Sequence, residues 1–84
     1  MSKYKDELST RIGAALGRDV SDVIGELYAL GVLDDTLARK GCLTQAYLLT
    51  ASDTSRSETA ILSELADQYF VSEITAYRYV RRID

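Results

Sequence analysis

Apolar residues recur at three- and four-residue intervals along almost the whole chain, and the breaks between these stripes are short. That periodicity is the signature of amphipathic helices, and it leaves little room for anything else. Proline, the strongest helix breaker, is absent from all 84 residues. Leu8, Ile12, Ala15 and Leu16 share one face of a first helix, over about residues 5–16, which Gly17 can stop. Asp19 or Ser21 can cap a second, whose stripe is Val20, Val23, Ile24, Leu27 and Leu30 and which ends at Gly31. Asp34 or Asp35 can cap a third, over residues 35–49, with Leu37, Ala38, Cys42, Ala46 and Leu49 on one face. Gly41 lies inside it, at a cost of ~1 kcal/mol relative to alanine, and marks a close helix contact or a bend.

The segment "TASDTSRSE", residues 50–58, reads as the one clear polar connector, with Ser55 and Glu58 at capping-box spacing. A fourth helix then runs to Tyr69, burying Ile61, Leu62, Leu65, Ala66 and Tyr69. A fifth begins near Ser72 and buries Ala76, Tyr79, Val80 and Ile83. The expected fold class is all-α: a small bundle of about five helices in a single domain. Residues 1–50 form a scaffold or dimerisation half, and residues 55–84 a terminal helix pair.

Composition narrows the chemistry. With no histidine and one cysteine, a zinc site and the usual neutral-pH proton shuttle are both disfavoured, and no metal or cofactor is expected. Cys42 is expected to pack as a small apolar residue. Asp34, Asp35 and Asp53 read as caps and loop residues rather than paired catalytic carboxylates, and no glycine-rich phosphate loop is present, so no enzyme is expected. No apolar run approaches the ~20 residues of a membrane helix, and "MSKYKDELS" lacks a signal-peptide core, so no membrane partner and a cytoplasmic location are expected.

The last two helices are separated by only "FVS", residues 70–72, which forces a sharp turn and packs one helix on the other. Ala66 and Ala76 are small where the helices cross, Val71 points inward, and Ser72 can cap the final helix. "LADQYFVSEITAYRYV" resembles the helix-turn-helix of bacterial repressors, activators, sigma factors and phage terminase small subunits. Leu65, Ala66, Val71, Ser72, Thr75 and Arg78 carry the resemblance in register, over about 20 residues. Phe70 stands where that pattern has glycine and Ala76 where it has valine. A bulky residue adopts the positive backbone angle usual at such a turn only at a cost.

The resemblance implies double-stranded DNA as partner, bacterial, phage or mobile-element origin, and a role in transcription regulation. The helix over residues 72–83 would enter the major groove, its first residues nearest the bases. Ser72, Glu73, Ile74, Tyr77, Arg78 and Arg81 would face outward. Arg78 suits the two acceptors of a guanine edge, and Glu73 suits a cytosine amine or the orientation of Arg78. Ser72, Thr75, Tyr77, Arg81 and Arg82 suit phosphates, with Arg56 and Lys40 as flanking contacts. The bland alternative is a solvated face whose arginines simply complement the helix dipole.

Charge weighs against a strong monomeric binder. The net charge is −3, and from residue 56 onward four basic residues (Arg56, Arg78, Arg81, Arg82) face five acidic ones (Glu58, Glu64, Asp67, Glu73, Asp84). Two copies on a two-fold site would roughly double the phosphate contacts. "RIGAALGRDVSDVIGELYALGVL" is reminiscent of the winged-helix motif, but its outward positions would be Asp19, Asp22 and Glu26, which repel phosphate. This half reads better as scaffold or as the face of a homodimer. A helical protein-interaction module, an adaptor or inhibitor without DNA binding, is the rival reading.

Overall fold

The computed structural model describes residues 3–53 and 55–81. Five helices follow one another: α1 Lys3–Leu16, α2 Ser21–Ala29, α3 Asp35–Asp53, α4 Glu58–Gln68 and α5 Glu73–Val80. No strand occurs among the described residues, so the class is all-α. The chain divides into two compact units between Cys42 and Leu43, inside α3.

Three of the helix ends are closed in the same way. Each has one left-handed residue just past the helix, so that the next amide turns back onto a carbonyl of the last turn. Gly17 (φ 72°) lets Arg18 N–H reach the Gly13 carbonyl at 3.0 Å, and Gly31 (φ 76°) lets Val32 N–H reach the Leu27 carbonyl at 3.0 Å. The third is Phe70 (φ 59°), with Val71 N–H on the Ala66 carbonyl at 3.0 Å. Two closures use the residue that bears this angle without steric cost; the third forces an aromatic into it, at ~1–2 kcal/mol.

In the first unit α1 packs on α2. Leu8, Val20, Ile24, Ala38 and Cys42 are buried. A Cβ on Gly41 would meet Leu8 Cδ1 at 3.2 Å, so this glycine marks a close helix contact. The Asp34 carboxylate accepts from Leu37 N–H at 2.9 Å and caps α3. At α2 the flanking residue is Val20, with no side-chain cap, while Asp19 accepts from Ser21 N–H at 2.9 Å.

In the second unit α4 packs on α5. Its core is Leu43, Ala46, Ile61, Leu62, Leu65, Ala66, Tyr69 and Ala76. Thr44 Oγ1 donates to the Tyr79 carbonyl at 3.3 Å and ties the end of α5 to α3. The Tyr47 hydroxyl donates to Glu58 at 3.2 Å and ties α3 to the start of α4.

Several expectations are corrected. The polar connector is shorter than expected, because α3 continues through Thr50, Ala51 and Ser52 to Asp53. Ser52 fits there by donating its hydroxyl back to the Leu49 carbonyl at 3.0 Å, a bond a helix tolerates. The cap of α4 is Ser57, not Ser55: its oxygen accepts from Ala60 N–H at 3.2 Å. Ala15, Leu16, Val23, Leu30, Leu37 and Leu49 are exposed rather than core, and Leu43 is buried though not anticipated. α5 is described only to Val80, and Arg81 already has extended backbone. Arg82 and Ile83 lie outside the described residues.

Candidate nucleic-acid interface

The α4–α5 corner is built so that α5 buries one narrow face and presents the opposite one. Ala76 has no exposed surface at all, and its small side chain lets α5 approach α4 closely. Tyr79 and Val80 are half-buried beside it. The entry to α5 is pinned by Ser72: its oxygen accepts from Thr75 N–H at 3.0 Å, and its hydroxyl donates to Thr75 Oγ1 at 2.9 Å. Such a cap contributes about 1 kcal/mol and fixes where the helix begins.

With that face buried, the 3.6-residue repeat sends Ile74, Tyr77 and Arg78 to a common outward stripe, and Arg81 follows just past the end of α5. All four are exposed. The Arg81 guanidinium lies 4.5 Å from the centre of the Tyr77 ring, a cation–π contact that steadies both side chains. Ile74 is 67% exposed at the start of the helix, and Phe70 is 73% exposed in the turn before it.

Other anticipated residues are placed differently. Glu73 is exposed, and its carboxylate accepts from the Ser63 hydroxyl of α4 at 3.4 Å instead of orienting Arg78. Thr75 is half-buried and engaged in the cap, so its role is local rather than outward. Arg56 is ion-paired with Glu64, which occupies the group assigned to a flanking phosphate. Lys40 is exposed but belongs to the other compact unit. Phe70 is the surface residue that sequence reasoning missed. Its departure from the glycine pattern was legible; its exposure was not.

Among the described residues no group of histidine, cysteine and carboxylate side chains can hold a metal ion. Cys42 is buried, and its thiol is pushed up to about 12, first by burial and then by the charge of Glu7. A thiol held protonated is a packing group, not a nucleophile. An open depression lined by Asp6, Ser9, Thr10, Gly13, Arg18, Asp19 and Ser21 lies in the first unit. No described helix is long and apolar enough to cross a membrane.

Comparison with protein-family models, with curated proteins and with solved structures finds no match to this chain. The reading of the corner rests on its own geometry.

Proposed function

We propose that the chain is a small sequence-specific DNA-binding protein, acting in transcription regulation, whose α4–α5 pair is a helix-turn-helix with α5 as the helix that enters the major groove. One observation carries this reading: α5 buries only Ala76 completely, while Ile74, Tyr77, Arg78 and Arg81 stand on its opposite, exposed face. A helix about 10–12 Å across with its side chains fits a major groove about 12 Å wide. Arg78 reads a guanine edge, Tyr77 donates to a phosphate or base, and Arg81 and Arg82 neutralise phosphates. Ser72 contributes as the cap that sets the angle of entry.

Two described arginines on the stripe neutralise few phosphates, so a single copy binds weakly. A homodimer through the amino-terminal half supplies the second set. Val23 on α2 and Leu30 at its C-terminal cap, both exposed, are the side chains such a contact would cover. Sedimentation equilibrium at high micromolar concentration tests it, and a clean monomer without DNA removes the dimer.

The net charge of −3 favours the rival, a helical module that binds another protein. A gel shift on random duplexes at low and physiological salt separates the two readings. The proposal requires a salt-sensitive shift that Arg78→Ala weakens. No shift at any salt leaves the protein-interaction module standing.

A further inference from the structure

The apolar end of the α5 stripe has no part in the arginine contacts just described. Ile74 lies on the first turn, 67% exposed, where a polar residue would be the ordinary choice for a solvated helix. Exposed Phe70 lies four residues earlier. Ile74 is not among the buried core residues, and Phe70 takes on the backbone angle that glycine bears without cost. Beside them the same stripe carries Arg78 and Arg81, so whatever covers it is anionic as well as locally apolar.

The major groove offers few matches for a branched aliphatic side chain. Its base edges are donors and acceptors, with one apolar group among them in unmodified DNA: the C5-methyl of thymine. The first turn of a groove-facing helix lies nearest those edges. We infer that Ile74 packs against a thymine methyl, so that the preferred duplex carries thymine one to a few base pairs from the guanine read by Arg78. This rests on the DNA-binding reading above and adds the base that the apolar end selects.

The contact can be tested by removing a single group from each partner. A duplex is first selected from a random pool with the full chain. Each thymine in it is then replaced in turn by deoxyuridine, which removes only the methyl. Binding of wild type and Ile74→Ala is measured on every duplex at one salt concentration. Ile74 is exposed, so Ile74→Ala keeps the fold, which circular dichroism checks. Burial of one methyl contributes ~0.8 kcal/mol, so wild type should bind one uridine duplex about fourfold more weakly. Ile74→Ala should bind that duplex and its thymine parent equally. The inference is overturned by a selected site without thymine, by equal wild-type binding to all uridine duplexes, or by a loss that Ile74→Ala retains. If no duplex is held even at low salt, the DNA-binding reading falls and takes the inference with it.

Discussion

The molecule contains two tight helical corners, α1–α2 and α4–α5, and they solve the same problem with opposite chemistry. Both reverse the chain through one left-handed residue followed by an amide that closes back on the preceding helix. At the first corner that residue is Gly17, and the second helix presents Asp22 and Glu26. At the second it is Phe70, and the following helix presents Ile74, Tyr77, Arg78 and Arg81. The first corner pairs an unstrained turn with an anionic face. The second accepts backbone strain and exposed apolar surface beside a cationic face. On the proposed reading, the corner that carries the strain is also the one that meets DNA.

The largest expected effect tests how far each corner depends on its core. Tyr69 is 1% exposed at the junction of α4 and the turn. Tyr69→Ala should cost about 3–5 kcal/mol, enough to unfold a chain of this size, whereas Ile24→Ala on α2 should cost about 2–3 kcal/mol. Urea denaturation followed by circular dichroism measures both. Equal losses would erase the asymmetry between the corners.

The second corner was also the more legible in sequence. Ile61, Leu62, Leu65, Ala66, Tyr69 and Ala76 were expected to be buried and are. Their stripe is dense, and a three-residue connection permits few arrangements. At the first corner Ala15, Leu16, Val23 and Leu30 lie on apolar stripes yet are exposed, because two short helices cover only the centre of each other's stripe. Leu43 escaped notice because α3 contributes to both units, so its buried surface is wider than one periodic face. At the site, periodicity was enough to put Arg78 and Arg81 outward. It could not show Glu73 accepting from Ser63, or Arg56 pairing with Glu64 eight residues away. Those depend on side-chain rotamers, which sequence spacing does not set.

A second contrast is electrostatic. If α5 is the groove helix, Arg78→Ala should weaken binding to the selected duplex by about 1–3 kcal/mol, and Arg81→Ala should lower the slope of log K against log salt by about one. Asp22→Asn on the first corner should leave that slope unchanged. A matching change in both would mean that the net charge, rather than one helix face, controls binding.

Alkaline pH should loosen the amino-terminal unit in particular. Burial pushes the Cys42 thiol up to about 12 from its ordinary value of 9.0. A group raised on folding contributes stability that is fully present below its unfolded value and is lost as pH rises towards the folded one. The loss therefore begins near pH 9 and amounts to about 1 kcal/mol by pH 10. Cys42→Ala should lower stability at pH 7.5 and then lose less than wild type on going to pH 10. Parallel losses in urea melts at the two pH values would show that the thiol is not the group responsible.

The smallest effects come from exchanging the left-handed residues themselves, and they bear most directly on why the corners differ. Gly17→Ala puts a Cβ at φ 72° in open space, so its cost is backbone strain alone, about 1 kcal/mol. Phe70→Gly does the reverse. It relieves ~1–2 kcal/mol of strain and returns ~0.5–1 kcal/mol as the greater freedom of glycine in the unfolded chain. The net gain is about 0.5 kcal/mol, a rise in Tm of roughly 2–4 °C for a chain this small. Thermal melts of the two variants should thus move in opposite directions. The same Phe70→Gly protein should bind its selected duplex more weakly than wild type despite being more stable, because the exposed apolar ring in the turn before α5 is gone. A variant that gains stability and keeps full affinity would make Phe70 a tolerated accident of the turn and leave the strain at this corner without a purpose.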